Sequence, residues 1–172
     1  VIKCKNYTHQ TKYQLPIPPS PNLPNMKSIY LYPSTCFFEA TPVSLGRGTS
    51  LPFQVYGHPN MTGYNYSFTP RSIPGAKNPP QLNKLCHGVD LSNMSDEEIW
   101  KRGVDLTYVI DAYRNLNLDD HFFRPFFELL VGRDYVRKMI KEGKSADEIK
   151  AMWKGDVEKF KAQRKPYLLY EE

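Results

Sequence analysis

Thirteen of the fifteen prolines fall within residues 1–80. Proline lacks the backbone N–H that a helix interior needs, and its ring crowds the preceding turn. Residues 1–80 therefore read as short strands and structured loops, with no room for a long helix. Ile2–Tyr7 reads as a strand. Residues 15–24, LPIPPSPNLP, read as an extended, polyproline-like arm laid on a surface, with Leu15, Ile17 and Leu23 to bury. Asn25 suits the N-cap of a short helix that Pro33 stops near Tyr32. Cys36–Glu39 is a short apolar run ending in an acid. PVSLGRGT then reads as a loop, because Gly46 and Gly48 flank Arg47 and permit unusual backbone angles. Phe53–Tyr56, Tyr64–Arg71 and Leu85–Leu91 read as further strands, the second from its alternation of Tyr64, Tyr66 and Phe68.

The second half changes character. Ser95-Asp-Glu-Glu98 and Ser145-Ala-Asp-Glu148 both have the capping-box pattern that opens helices. Ile99, Leu106, Val109, Ile110 and Tyr113 follow the first at helical spacing, up to about Asn115. A helix over about Asp134–Glu142 buries Val136, Met139 and Ile140. The helix after Ser145 carries Ile149, Trp153, Val157 and Phe160 and ends before Pro166. The tail PYLLY reads as an edge strand or a docked arm. Strands first and helices later indicate an α+β fold, with helices packed mainly on one face of a mixed or antiparallel sheet. The expected division is an arm and short helix over 1–33, a strand and loop region over 34–92, and a helical region with the tail over 93–172.

Charge divides along the same line. Residues 1–89 hold eight Lys and Arg and a single acid, Glu39; residues 90–172 hold fifteen basic and seventeen acidic residues. A basic half favours an anionic partner. No recognised nucleic-acid motif accompanies that charge, and the tyrosines sit beside prolines and turn residues more than beside Lys or Arg, so nucleic acid is not an expected partner. No apolar run approaches the ~18 residues a bilayer span needs. Cys4, Cys36 and Cys86 are too few for a disulfide framework and contain no C-x-x-C pair, so they read as buried or half-buried thiols, with one disulfide and a spare thiol as the alternative. No metal motif, phosphate loop or nucleophile elbow occurs, and no cofactor is expected.

Glu39 is the residue with chemistry to offer. Beside Phe37 and Phe38, burial would raise its pKa and suit it as a general acid. Pairing with Arg47 would lower that pKa and make Glu39 an anchor for a substrate hydroxyl, or simply half of a salt bridge that holds the loop. The acids of the helical half read as solvated helix faces. Seven tyrosines, three histidines and many Asn, Ser and Thr in residues 1–89 suit a sugar, which offers hydroxyls and apolar ring faces.

The segments PPSPNLP, YPSTCFFEATPVSLGRGT, PFQVYGHP, SFTP, GAKNPP, CHGVDL and RKPYLLY, in this order, resemble the C-terminal half of the exo-β-N-acetylmuramidases of NamZ type. The resemblance runs from about Val1 to Tyr170. One departure is Ala40, where the family pattern reads FEGT; the backbone there should avoid a positive φ. The resemblance implies hydrolysis of N-acetylmuramic acid (MurNAc) from the non-reducing end of peptidoglycan fragments, with muropeptides or MurNAc–GlcNAc saccharides as substrate. It also implies an N-terminal Rossmann-like domain that faces this one across a cleft, in a protein about twice this length. Glu39 is then the candidate catalytic group, and Arg47, Ser44, His58 and Asn6 are candidates for substrate contact; the alternative is a non-catalytic recognition domain with all chemistry in the N-terminal one. The basic half suits the lactyl carboxylate of MurNAc. This chain alone is expected to be inactive, and the substrate implies a periplasmic or secreted protein, or a lipoprotein, with its export signal upstream of Val1.

Overall fold

The computed structural model describes residues 1–170. The elements in chain order are helix α1 (Met26–Thr35), a 3₁₀ turn (Cys36–Ala40), strands β1 (Val55–His58), β2 (Tyr66–Phe68) and β3 (Cys86–Asp90), and helices α2 (Asp96–Arg102), α3 (Thr107–Leu116), α4 (Phe127–Val131), α5 (Asp134–Lys141) and α6 (Ala146–Arg164). Short 3₁₀ turns lie at Asp119–His121 and Lys165–Tyr167. The expected α+β class holds, with the helices concentrated toward the C-terminus.

The sheet is antiparallel, in the order β1-β3-β2. Gly57, Gly88 and Tyr66 lie side by side across it. The main core lies between the Cys36–Ala40 turn, β1 and the helices. Phe38 and Phe122 are fully buried there, with Phe37, Phe123 and Phe127 around them. Phe123 and Phe127 rings are 4.5 Å apart between centroids, and Phe122 meets Phe123 edge-on at 4.8 Å. Offset and edge-on geometries of this kind add to the plain gain from burial.

Asn25 caps α1, accepting from the Ser28 N–H at 2.9 Å. The helix does not stop at Tyr32 but runs through Pro33 to Thr35. Pro33 forfeits only one helical donor, and the chain tightens at once into the 3₁₀ turn, where Ala40 is buried with an ordinary φ.

The strand expected at Ile2–Tyr7 does not form. Val1 and Ile2 are fully exposed, and no neighbouring strand offers a ladder. The tail fixes that segment instead: the Cys4 N–H donates to the Tyr170 hydroxyl at 2.8 Å, and Tyr7 meets Tyr170 edge-on. PYLLY is thus a docked tail and not a strand. The proline-rich arm bends into a turn closed by Leu23 N–H to Ser20 C=O at 2.9 Å. Leu23 packs on the core, whereas Ile17 stays 76% exposed.

β1 begins two residues later than expected, because Phe53 takes a φ of +60°, which no strand residue adopts. The expected strand at Tyr64–Arg71 is reduced to Tyr66–Phe68. The single periodic stretch over 95–115 is two helices. Gly103 breaks it at a φ of +60°, and Asp105 restarts it by accepting from the Thr107 N–H at 2.8 Å. Both serines cap as expected; the reciprocal bond of a full capping box forms at Ser145. The three cysteines are free, with Cys86 buried, Cys36 half-buried and Cys4 exposed against expectation.

Candidate functional site

Glu39 sits near the end of the 3₁₀ turn, half-buried. Phe37 and Phe38 anchor the turn in the core, and the Thr41 N–H and hydroxyl both close onto the Phe38 carbonyl. The chain then enters a loop that folds tightly on itself. Ser44 exchanges both backbone hydrogen bonds with Gly57 of β1, at 2.8 and 2.9 Å. Gly46 and Gly48 have φ of +81° and +83°, and a Cβ on either would fall 2.4 Å from a backbone oxygen, of Leu51 and of Arg71 respectively. Only glycine fits such an approach. Arg47 is held between them. Its Nε is buried and has no hydrogen-bond partner.

Two buried residues lie beside this loop, and sequence reasoning did not single them out. Phe53 carries its positive φ with its N–H bonded to Leu45 C=O at 2.7 Å and its ring 5.1 Å from that of Tyr32. Gln54 is 2% exposed, and its Nε2 also lacks a partner. Strained backbone and unsatisfied buried donors are uncommon and concentrate where a protein meets a ligand or another body. Neither residue type nor spacing in the sequence marks Phe53 or Gln54.

The Glu39 carboxylate makes no hydrogen bond or ion pair among the described residues. No pair with Arg47 forms within 4.0 Å, so the loop is not closed by a Glu–Arg bridge. The charge of Glu39 is felt by its neighbours. Burial, reinforced by Glu39, pushes the Cys36 thiol up to about 11, and the same two causes raise the Tyr32 phenol. Cys36 is therefore a protonated, weakly nucleophilic thiol beside the acid.

Ser44, Arg47 and His58 come together in the loop and the strand it is pinned to. Ser44 is fully buried, and its hydroxyl faces the Gly46 N–H at 3.4 Å. His58 is 9% exposed, and its Nδ1 accepts from the Asn60 N–H at 3.1 Å. Burial and the nearby Lys84 charge lower its pKa, so it is a neutral imidazole. Directly across the sheet lies His87, hydrogen-bonded through Nδ1 to the Ser67 hydroxyl at 2.8 Å. Asn6 is exposed at a φ of +56° in the N-terminal segment held by Tyr170, and no hydrogen bond joins it to the Glu39 loop.

Two acids of the helical half, Asp111 and Asp105, are not on a solvated face. Asp111 on α3 is half-buried, and its Oδ2 accepts from the hydroxyls of both Tyr56 and Tyr64 at 2.8 Å. Burial and this carboxylate raise both phenol pKa values. Asp105 is buried too, as the restart of α3. Asp111 falls one residue after Ile110 in the helical pattern, so periodicity alone assigns it to a polar flank. Its partners lie 55 and 47 residues away.

Among the described residues no group of three or more His, Cys, Asp or Glu is placed to hold a metal, and no helix is long and apolar enough to cross a membrane. Glu39 offers an unpaired carboxylate, and Arg47, eight residues on, a guanidinium whose Nε has no partner. That set can hydrogen-bond a polyhydroxylated, anionic ligand. A glycosidic hydrolysis by the usual route needs a second carboxyl group facing it.

The family model described as the C-terminal part of the exo-β-N-acetylmuramidase NamZ matches residues 30–170. A relative named peptidoglycan β-N-acetylmuramidase NamZ, from Bacillus subtilis strain 168, is 32% identical over 189 aligned positions, covering 99% of this chain and 45% of its own length. The crystal structure of a DUF1343 family protein from Bacteroides fragilis NCTC 9343 superposes with a TM-score of 0.95 at 83% identity, over 98% of this chain and 48% of that one. A second DUF1343 family structure from the same organism shares the fold, with a TM-score of 0.67 at 20% identity over 95% of this chain. The chain thus spans about half the length of the relatives it matches. The motif-based resemblance is borne out: this chain belongs to the family of NamZ exo-β-N-acetylmuramidase C-terminal domains.

Proposed function

We propose that this chain forms one wall of the substrate cleft of a peptidoglycan-degrading exo-β-N-acetylmuramidase. The complete enzyme releases MurNAc from the non-reducing end of cell-wall fragments. The opposite wall, in a Rossmann-like domain, supplies the second catalytic group. The observation that carries this reading is Glu39, the one acid of residues 1–89, which is half-buried and has no partner among the described residues, while Arg47, eight residues on, has an unsatisfied Nε. A half-buried carboxylate with no partner inside the chain fits a group whose partner is substrate. In this reading Glu39 gives or takes a proton at the glycosidic centre or holds a sugar hydroxyl, and Arg47 receives the lactyl carboxylate through charge-assisted hydrogen bonds. Such a substrate places the enzyme in the periplasm or outside the cell.

A second reading has a specific support. Ser44 and His58, two of the expected contacts, are buried and engaged internally. That favours a wall that recognises substrate by shape, with all chemistry on the other side.

The two readings separate in one experiment. Release of free MurNAc from a MurNAc–GlcNAc disaccharide is measured for the full-length protein, wild type against Glu39→Gln, with folding checked by circular dichroism. A catalytic Glu39 predicts a rate loss of roughly 10²–10⁴-fold with the fold intact. A loss of only a few-fold would assign this wall to recognition.

A further inference from the structure

Helix α3 borders a cavity of about 450 Å³, lined by Thr107, Asp111, Arg114, Asn115 and Ser145 among others. Asp111 and Arg114 are three residues apart on one helix, a spacing at which opposite charges ordinarily meet. Here no ion pair forms between them within 4.0 Å. Each is held from its own side. The Asp111 Oδ2 is taken by the two phenols, Tyr56 and Tyr64. Arg114 Nη2 donates to the backbone carbonyls of Gly143 at 2.8 Å and Lys144 at 3.3 Å, beyond the end of α5.

Among the described residues, the second Asp111 oxygen has no partner, and the remaining guanidinium nitrogens have none. Asn115 is fixed as well: its amide exchanges two 3.0 Å hydrogen bonds with the Thr62 backbone. A negative and a positive group therefore line one cavity, kept from neutralising each other by anchors from other segments of the chain. Collapse of the pair would be the expected outcome for two surface charges with nothing else to do.

We propose that this cavity is a binding site for a zwitterion of the α-amino-acid type, whose ammonium meets Asp111 and whose carboxylate meets Arg114, with the Thr107 hydroxyl as a further polar contact. The site uses none of the residues assigned to the sugar cleft, so its failure leaves the reading of Glu39 untouched, and the reverse. The ligand is a free amino acid or the end of a peptide that carries both charges.

The test is a titration followed by amide resonances in two-dimensional NMR. D- and L-alanine are the free zwitterions; N-acetylalanine lacks the ammonium, and alaninamide lacks the carboxylate. γ-Glutamylalanine, whose glutamyl end carries an ammonium and a carboxylate on one carbon, represents a peptide end that carries both charges. Alanine is expected to shift the Thr107, Asn115 and Ala146 amides saturably, and each singly charged analogue to bind about tenfold or more weakly, the usual consequence of losing one charge-assisted contact. Asp111→Asn keeps an acceptor for the two phenols; it should erase the preference of alanine over N-acetylalanine. Arg114→Gln should erase the preference over alaninamide. Stronger binding of alanine than of γ-glutamylalanine names a free amino acid as ligand, and the reverse names a peptide end. Equal binding by alanine and its singly charged analogues, or no saturable shift from any of them, would overturn the proposal.

Discussion

Phe38 stacks on Tyr56 with ring centroids 4.8 Å apart and planes 22° from parallel. This contact ties the 3₁₀ turn that carries Glu39 to the strand that carries His58. The Tyr56 hydroxyl extends the tie to Asp111 on α3. One buried ring thus sets the turn, the sheet and the helix against each other.

Phe38→Ala removes a fully buried ring from the centre of that arrangement. It should cost about 3–5 kcal/mol, the range for emptying such a site. Phe38→Leu, which refills most of the volume, should cost clearly less. Denaturant midpoints of the three proteins check this. Equal stability of wild type and Phe38→Ala would mean that the stack is not part of the core.

The Tyr56–Asp111 bond makes stability depend on alkaline pH, and its sign follows from the direction of the shift. Burial first, and then Asp111, raise the Tyr56 phenol above its ordinary value of 10.0. A pKa raised by folding means that the native state holds the proton more tightly than the unfolded chain. The contribution is fully present below pH 10 and is lost as pH rises from there toward the folded value. Between those limits the slope approaches about 1.4 kcal/mol per pH unit for this one group. Tyr56→Phe should lower stability near neutrality and flatten the alkaline limb. Urea titrations at a series of pH values read both effects, and an unchanged alkaline slope in Tyr56→Phe would contradict the assignment.

Much of this architecture is legible in the sequence because it is local. Ser95, Ser145 and Asn25 cap where a side-chain oxygen three residues ahead of a free N–H must cap. Leu85–Leu91 pairs nearly as expected, since CHGVD alternates between two well-defined faces. The departures are tertiary in origin. Ile2–Tyr7 has strand composition but no partner edge, and Tyr170, from the far end of the chain, holds it as coil. Phe53 has a residue type that predicts strand and a φ that forbids it. The site divides the same way. Glu39 stands out by charge isolation along the sequence, and the Gly46-Arg47-Gly48 loop by its glycines. Asp111 does not, because a carboxylate that meets two phenols from distant segments carries no local mark.

The sheet contains a position where that long-range demand is absolute. Gly88 lies on the central strand, opposite Gly57, and a Cβ there would fall 1.9 Å from the Tyr56 carbonyl oxygen. The obstacle is backbone, so no side-chain rotation relieves it; β3 would have to separate from β1 and take Cys86 and Val89 with it. Gly88→Ala should therefore abolish cooperative folding of this region. Gly155 gives the matched control. It lies inside α6, and a Cβ added there has nothing within 4 Å, so Gly155→Ala meets open space. Replacing a mid-helix glycine by alanine removes backbone freedom from the unfolded chain and should stabilise by about 0.5–1 kcal/mol. Thermal unfolding of the two variants gives opposite signs if β1 and β3 approach this closely. A Gly88→Ala protein that melts like wild type would show that the two strands sit farther apart, and the pairing of His58 with His87 would fall with it.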